Sequence, residues 1–419
     1  MNLAYRLAQS PVQRPDLPAS LAVNPGRAQW LSWTDDDHVE VRSGKVEIGQ
    51  GILTALAQIA ASELRLPVQR IRMISASTDS SPDEAVTSGS LSVQESGTAI
   101  RIVCAELRER LIERAAARWG IPAEQCEAHD GQVHSPDHSR SIDYARLGPS
   151  SLLEGEVEAG IPAKVEAARV RAANEGHSGR PVGESVPRLD LPAKLIGEPV
   201  YIHDLALPGM LHARVLRSGI PGARLIEVDE SVLTRFEGRV RLWRDGDFLA
   251  VTSDSEWMAV KAATAIEPRL RWESPVLPFD EHSVGAWLRE QPTDSKVIAQ
   301  KPDTASSAAS ADSTASSSPT LDATYTKPFI AHASLMPSCA VALWEGEHLE
   351  VWSHSQGIFN LRADLALVFP GSSIDVHHSE GAGCYGHNGA DDAALDAALI
   401  ARLCGAPVRL LWSRRDELR

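Results

Sequence analysis

The chain has 419 residues and a mass of 45.2 kDa, enough for two or three domains of ordinary size. Its hydrophobic fraction of 43% supports buried cores, and 41 basic against 56 acidic residues give a formal net charge of −15 at pH 7. This acidic balance argues against a general nucleic-acid binder, which needs a basic face. Apolar runs are too short for a membrane span, and five scattered cysteines without a CxxC pair indicate free thiols. Without an apolar leader near its N-terminus, the chain is predicted to be a cytoplasmic, multidomain protein.

The first half of the sequence contains two helical patterns and two strand-like segments. Residues 1–28 are rich in proline and weak in periodicity, which predicts a tether. Residues 29–180 form the first predicted unit. Its clearest element is a helix over 98–119, whose apolar stripe ends before Gly120 and Pro122 in the usual helix-stop order. The other elements predicted here are strands at 39–44 and 70–78 and a helix over 54–64.

The second half divides into two further units and a linker. Residues 183–290 contain four strand-like pieces and one helical stretch: PVYIHDL, MLHARVLR, RVRLW, FLAVTSD and WMAVKAATAI. Residues 300–320 are rich in serine and alanine and carry no large apolar side chain, so a flexible linker is predicted. The elements predicted in residues 321–419 are strands at 340–343 and 349–353, a helix over 390–403 and the strand VRLLW.

Three polar loops are candidate ligand sites, because each is rich in glycine or serine and stands just before a predicted helix. Glycine lets a backbone approach a ligand closely, and the start of a helix favours phosphate oxygens through its unsatisfied N–H groups. Hydroxyl and amide side chains add donors for a ligand with many acceptors. The alternative for each loop taken alone is a simple helix cap. The three loops are residues 49–51, 87–97 and 381–389.

The third loop matches G-x-G-x-x-G from Gly381 to Gly386 and has Asp416 further on, which leaves an NAD-dependent dehydrogenase open. The preceding SIDVHH is too polar for a buried central parallel strand, which argues against it. Cys384 is interpreted as an unreactive thiol beside a ligand, with a reactive thiol as the alternative. The C-terminal histidines show no HExxH or HxH pattern, so no metal-ligating residue is predicted, and neither a phosphate-binding GxxxxGK[ST] loop nor a GxSxG elbow occurs. Gln356, at a predicted strand end, is either a ligand contact or part of a surface turn.

Four longer motifs resemble the large, molybdopterin-binding subunit of the xanthine oxidase and aldehyde oxidase family. They are VEIGQGILTALAQIA (46–60), TDSSPDEAVTSGSLSVQESG (78–97), WSHSQGIFNLRADLA (352–366) and EGAGCYGHNGADDAALDAAL (380–399). The branch they resemble most contains the large subunits of nicotinate dehydrogenase and the beta subunits of isoquinoline 1-oxidoreductase. Residues 183–215 look like the family's α/β-hammerhead domain, assigned here to 183–290. The resemblance implies an α/β (α+β) fold with aldehyde oxidoreductase-type molybdopterin-binding domains, in segments 29–180 and 321–419.

The resemblance also implies a cofactor and the residues that bind it. Members of the family carry molybdenum on the dithiolene of a molybdopterin, in bacteria usually molybdopterin cytosine dinucleotide. They hydroxylate carbon with oxygen from water, and a small [2Fe–2S] partner subunit removes the electrons, with a cytochrome c left open as a further partner. Asn388 is the expected substrate contact, near the place of an acidic residue that helps relatives to bind purine, so an aromatic N-heterocycle or an aldehyde is favoured over xanthine. Carried over by position, the expected cofactor-binding residues are Gly49, Gln50, Gly51, Gly89, Ser90, Ser92, Gln356, Cys384, Tyr385 and Gly386.

The family's catalytic group has no counterpart in this sequence. Relatives use a glutamate in a Gly-Glu motif near the C-terminus of the full-length subunit, and its equivalent is expected beyond Arg419. The catalytic residue is therefore unknown. Either a second polypeptide supplies the missing part, or the chain is a truncated, non-catalytic cofactor-binding remnant. Export together with a partner that carries a signal leaves a periplasmic location open.

Overall fold

A computed structural model gives the fold of the chain. The structure describes residues 14, 16–158, 160–161, 165, 181–280, 282–299, 321, 323–328, 330–386 and 389–418. The predicted linker at 300–320 and the predicted substrate contact Asn388 lie outside these residues. Among the described residues, no helix combines the length and the apolar character that a membrane crossing requires.

The N-terminal part packs helices against a small sheet. Helix α3 (Ile52–Leu64) and helix α4 (Thr98–Trp119) lie together over strands β1 (Leu31–Trp33), β2 (Val39–Arg42) and β3 (Ile71–Ile74). β1 pairs antiparallel with β2, which pairs parallel with β3. One apolar core fills this region, with Leu56, Ile100 and Leu107 fully buried. The remaining elements are α1 (Ala19–Val23), α2 (Arg27–Trp30), α5 (Pro149–Leu152) and a second three-stranded sheet of β4 (Glu127–His129), β5 (Gln132–His134) and β6 (Ser141–Asp143).

A seven-stranded mixed sheet forms the centre of the rest of the chain. Its members are β7 (Leu211–Leu216), β9 (Val240–Asp245), β10 (Phe248–Ser253), β12 (Cys339–Glu345), β13 (His348–Ser353), β14 (Ser373–His378) and β15 (Val408–Leu411). They lie in the order β14-β13-β12-β15-β7-β10-β9. The parallel pairs are β13 with β14 and β15 with β7, and the other neighbours are antiparallel. The sheet therefore joins strands of segment 183–290 to strands of segment 321–419.

Helices cover this sheet and bury two further apolar clusters. Helix α9 (Ile358–Val368) packs on β14, and helix α10 (Ala390–Cys404) packs on β12 and β15 through a row of buried alanines. A smaller cluster lies where helix α7 (Glu256–Ile266) meets β7 and β10. The other elements are α6 (Leu191–Leu195), α8 (Val284–Glu290) and a two-stranded pair of β8 (Arg224–Val228) and β11 (Leu270–Glu273).

The structure confirms most of the predicted elements and corrects two. Helix α4 has the predicted bounds, because Gly120 adopts the left-handed conformation that ends it (φ 68°). PVYIHDL is not a strand: Tyr201 makes a single bridge to Glu380, and Ile202–Asp204 forms a 3₁₀ turn. The predicted tether is also wrong where the structure describes it, because α1 packs Leu21, fully buried, into the first core.

Candidate functional site

The first candidate loop is a tight turn held by a buried carboxylate. Glu47 is 1% exposed, and its carboxylate accepts hydrogen bonds from the backbone N–H groups of Gly49 (2.9 Å), Gly51 (2.8 Å) and Leu53 (3.3 Å). Gly49 has φ 103° and Gly51 has φ 77°, which disfavour any residue with a Cβ atom. No other described atom lies within 4 Å of where a Cβ of Gly49 would stand, so this backbone is open to a ligand. We call residues 46–51 the first turn.

The Gln50 side chain braces the first turn. Its Nε2 donates to the carbonyl oxygen of Val46 (2.9 Å), and its Oε1 accepts from the N–H of Ile48 (2.6 Å). Gln50 is nevertheless exposed. The amide therefore fixes the shape of the turn and can meet a ligand only by exchanging these bonds.

The second candidate loop is joined both to the first turn and to Gln356. The hydroxyl of Thr87 accepts from the N–H of Val46 (2.9 Å). The N–H of Thr87 donates to the carbonyl oxygen of Gln356 (2.8 Å), and Gln356 Nε2 donates to the carbonyl oxygen of Thr87 (2.9 Å). The first turn, the second loop and Gln356 thus meet around Thr87. Gln356 lies hundreds of residues further along the chain than the two loops.

Beyond Thr87, the second loop exposes the start of a long helix that is rich in donors. Gly89 (φ 67°) and Ser90 (φ 60°) adopt consecutive left-handed conformations and are exposed. Residues 93–97 form a π-helical turn that continues into α4. The hydroxyls of Ser90 and Ser92 bond to no other described residue, and Ser92 does not cap the helix. A helix start with unpaired hydroxyls is suited to phosphate oxygens.

The third candidate loop, residues 380–386, follows β14 and turns sharply over a buried histidine. A Cβ on Gly381 would stand 2.7 Å from Nδ1 of His354, so only glycine fits there. Gly386 has φ 106°, and Tyr385 has φ 60° and is 62% exposed. Cys384 is 3% exposed, and burial raises the pKa of its thiol, which disfavours the reactive thiolate at neutral pH. We call these residues the glycine loop.

One buried histidine connects the end of β14 to the first turn, and a second lies beneath the glycine loop. His378, at the end of β14, has its Nε2 2.9 Å from the carbonyl oxygen of Glu47. The Nε2 of His354 accepts from the N–H of Cys339 (3.2 Å). Burial lowers the pKa of His378 to about 4, and burial, then the neighbouring His203 and His378, lower that of His354 to about 3. Both imidazoles are neutral at physiological pH.

A second connection runs through residues 181–195, which we call the strap. Arg188 Nη1 donates to the carbonyl oxygen of Gly49 (2.9 Å), and Arg188 also pairs with Asp190. Lys194 lies between Asp190 (2.5 Å) and Glu380 (2.6 Å), the first residue of the glycine loop. The strap therefore contacts two of the three candidate loops.

Comparison with known proteins assigns a domain type to the N-terminal and C-terminal segments of the chain. Two family profiles, each described as a molybdopterin cofactor-binding domain, match residues 12–178 and 292–419. The chain therefore contains two molybdopterin cofactor-binding domains. The first matched segment contains the first turn and the second loop, and the second contains Gln356 and the glycine loop. The segments that meet around Thr87 thus come from both cofactor-binding domains.

Individual relatives agree with this family. The chain is 34% identical over 400 residues to a nicotinate dehydrogenase subunit of Pseudomonas putida, covering 93% of this chain and 32% of that one. It is 24% identical to the beta subunit of isoquinoline 1-oxidoreductase of Brevundimonas diminuta, covering 96% of this chain and 56% of that one. The chain thus spans about a third of the first relative and just over half of the second. Quinoline 2-oxidoreductase of Pseudomonas putida 86 aligns in structure with a TM-score of 0.43 and 20% identity, covering 56% of this chain and 35% of that one.

The donor set of the site fits molybdopterin in part. The hydroxyls of Ser90 and Ser92, unpaired among the described residues, match its phosphate, and the open backbone of Gly49 allows close approach. Gly386 is less open, because a Cβ there would stand 3.9 Å from Nε2 of His332. Gln50 and Gln356 already donate within the protein, so their role is to shape the loops unless the cofactor displaces those bonds. Among the residues that the structure describes, no group of three or more His, Cys, Asp or Glu is arranged to bind a metal ion.

The geometry does not support a nicotinamide dinucleotide at the glycine loop. β14 lies at the edge of the sheet, and α10 begins only at Ala390, beyond Gly386. In the dinucleotide fingerprint the loop opens directly into the helix that receives the pyrophosphate. The polar SIDVHH segment is explained by the same position, since an edge strand needs fewer apolar residues than a central one.

A large groove meets the predicted loops only at Gly389, the last residue of the third loop. It has a volume of about 840 Å³ and is lined mainly by residues 217–221, 330–334 and 416–418, together with Trp272 and Trp412. Gln50, Ser90, Gln356 and Gly386 do not line it. Hydrogen bonds join the first turn, the second loop and Gln356 directly, while the glycine loop reaches them through His378 and the strap.

Sequence reasoning missed the residues that hold the loops in place. Glu47, His354 and His378 are buried polar side chains beneath the loops, and Arg188 and Lys194 join them across the surface. Glu47 carried a usable signal, because an acidic residue two positions before a Gly-x-Gly turn can accept the turn's N–H groups. The strap residues carried none, because their partners lie more than a hundred residues away.

Proposed function

We propose that this chain forms the molybdopterin-binding part of a molybdenum hydroxylase that oxidises an aromatic N-heterocycle or an aldehyde. When bound, the cofactor would supply the redox centre at which oxygen from water is transferred to carbon. The observation that carries the proposal is the meeting of both cofactor-binding segments around Thr87, beside a helix start with unpaired serine hydroxyls. The names of the relatives, which refer to nicotinate and isoquinoline, support the substrate class.

The residues of the chain divide the proposed work between them. Ser90 and Ser92 would bind phosphate oxygens at the start of the helix. Gly49 and Gly386 would leave room for the pterin, while Gln356 would hold the second loop at the right distance from the first turn. Cys384 would stay protonated and line the site through its backbone, because burial raises the pKa of its thiol. A dinucleotide form of the cofactor and a [2Fe–2S] partner subunit that removes electrons belong to the same proposal.

The proposal is tested by expressing the chain in a bacterium that makes molybdopterin cytosine dinucleotide. Purified protein should contain pterin, cytosine dinucleotide and molybdenum in about equal amounts. A second preparation, co-expressed with the genes that adjoin its own, should hydroxylate an N-heterocycle or an aldehyde and incorporate ¹⁸O from labelled water. Folded protein without pterin would contradict cofactor binding. Bound pterin without turnover in the co-expressed complex would contradict the hydroxylase and favour a non-catalytic cofactor-binding protein.

A further inference from the structure

The strap makes contact with both the first turn and the glycine loop through a chain of alternating charges. We infer that Arg188, Asp190 and Lys194 are positioning residues that set the distance between these two loops, so that both can contact one cofactor. This inference deepens the proposed function and rests on it. None of the three residues needs to touch the cofactor.

The strap is anchored along the helix that follows the first turn. Gln58 Nε2, on α3, donates to the carbonyl oxygen of Pro181 (2.9 Å). Further along, the N–H of Leu189 donates to the hydroxyl of Thr54 (3.0 Å), near the N-terminus of α3. The strap is therefore fixed to α3 at Pro181 and again at Leu189, between Arg188 and Asp190.

At its first end, the charge chain holds the first turn. Arg188 Nη1 donates to the carbonyl oxygen of Gly49 (2.9 Å), and Nη2 lies 3.6 Å from the buried carboxylate of Glu47. Nε and Nη2 of the same guanidinium donate to the two carboxylate oxygens of Asp190 (2.9 and 2.5 Å). This fork geometry orients the guanidinium, and the hydrogen bond with Asp190 raises the pKa of Arg188. Arg188 thus supports the carboxylate that organises the turn.

At its second end, the chain holds the glycine loop. Lys194 Nζ lies 2.5 Å from Asp190 and 2.6 Å from Glu380, and its side chain is 11% exposed. Burial would lower the pKa of Lys194, but its hydrogen bonds to both carboxylates raise it overall. The backbone of Glu380 is fixed as well, since its carbonyl oxygen accepts from the N–H of Ile202 (2.8 Å).

The order of the charges makes Lys194 the residue on which the connection depends. Two cations, Arg188 and Lys194, alternate with the carboxylates of Glu47, Asp190 and Glu380. Without the ammonium, Asp190 and Glu380 would face each other with no cation between them, in a place where burial already raises the pKa of Glu380. Like charges that are partly withdrawn from water repel strongly, so the glycine loop would move away from the strap.

The test compares Lys194→Met, Lys194→Arg and the control Arg217→Met by hydrogen–deuterium exchange in the cofactor-free, full-length chain. Arg217 is a suitable control because, like Lys194, it is a cation paired with a carboxylate, that of the buried Asp396, and it lies outside both loops. Lys194→Met should speed exchange at residues 49–53 and 381–386 by at least ~10-fold. Lys194→Arg keeps the cation and should restore most of the protection. Arg217→Met should leave both segments unchanged.

Two outcomes would overturn the inference. One is unchanged exchange at residues 49–53 in Lys194→Met. The other is exchange that rises equally in β12, because a general loss of stability would then explain the effect.

Loaded with pterin, Lys194→Met should also lose the cofactor at least ~10-fold faster on dilution than wild type and Arg217→Met. A wild-type chain that binds no pterin would contradict the proposed function, whereas the exchange comparison tests the strap by itself.

Discussion

A few residues determine the shape of the candidate site, and sequence reasoning identified only some of them. The glycines of both loops were predictable, because their spacing and their position before helices are visible in the sequence. Gln50 was predicted as a cofactor ligand, yet its amide braces the first turn through Val46 and Ile48. Which partner an amide selects depends on the local backbone path, and the sequence pattern carries no information about that. Whether Gln50 also binds the cofactor stays a prediction.

Gly381→Ala should destabilise the protein by about 1–3 kcal/mol, because the new methyl group would overlap His354. The measurement is the free energy of unfolding from denaturant titration. The control is Gly285→Ala in α8, where no described atom lies within 4 Å of the new Cβ and the helix should gain about 0.5–1 kcal/mol. Equal effects of the two substitutions would show that His354 does not pack against the glycine loop as described.

Ser90→Ala combined with Ser92→Ala should weaken cofactor retention and leave stability within about 0.5 kcal/mol of wild type. The reason is that neither hydroxyl bonds to another described residue, so its removal costs the fold nothing. Pterin content after purification and the free energy of unfolding are the two measurements. Ser295→Ala, another exposed serine, serves as the control. Unchanged pterin content in the double variant would exclude these hydroxyls as phosphate ligands.

Among the secondary-structure elements, amphipathic helices and short buried strands were predictable and local exceptions were not. Helix α4 and strands β7, β9, β10 and β15 follow from periodicity and from turn residues. PVYIHDL has the composition of a strand, but only Tyr201 finds a partner, so the segment turns after one bridge. The pairing of β15 with β7, which unites segments 183–290 and 321–419 in one sheet, depends on contacts far apart in sequence. Such pairings leave no local signal.

Leu410→Ala should cost about 2–5 kcal/mol, because Leu410 is fully buried in β15 between Ala340 of β12 and Ala213 of β7. The free energy of unfolding is the measurement, and faster hydrogen exchange should appear in both neighbouring strands. Leu367→Ala is the matched control, since Leu367 lies on α9 with its side chain 81% exposed and should change stability by less than about 0.5 kcal/mol. A small effect of Leu410→Ala would mean that β15 does not join the two halves of the sheet.

On the scale of the whole molecule, the candidate site lies where two separately packed parts of the chain meet. Among the described residues, the N-terminal core and the core of the seven-stranded sheet are separate clusters, although Val46 of the first turn and Ala76 pack into the core of the sheet. Polar contacts cross between them, among them Thr87 with Gln356 and Ser77 with His377 (2.8 Å). We also expect pH to change the stability of the folded protein through its buried titratable groups.

His354→Gln should reduce the sensitivity of the fold to acid. Well above pH 6.5, His354 is neutral in the folded and in the unfolded state. As the pH falls, the imidazole binds a proton in the unfolded chain but stays neutral in the folded protein, where its pKa is about 3. The wild type should therefore lose stability relative to the variant by about 1.4 kcal/mol per pH unit between pH 6 and 4. The measurement is the difference in free energy of unfolding across this range. A difference that stays constant with pH would contradict the burial of a neutral His354.

The central claim is that turns far apart in the sequence, from both cofactor-binding segments, contact a single molybdopterin. Hydrogen–deuterium exchange of the full-length chain with and without bound molybdopterin tests it most directly. The account predicts that the cofactor slows exchange together at residues 49–53, 87–92 and 381–386, while β9 and β10, at the far side of the sheet, stay unchanged. Protection confined to one of these loops, or found only elsewhere, would contradict it.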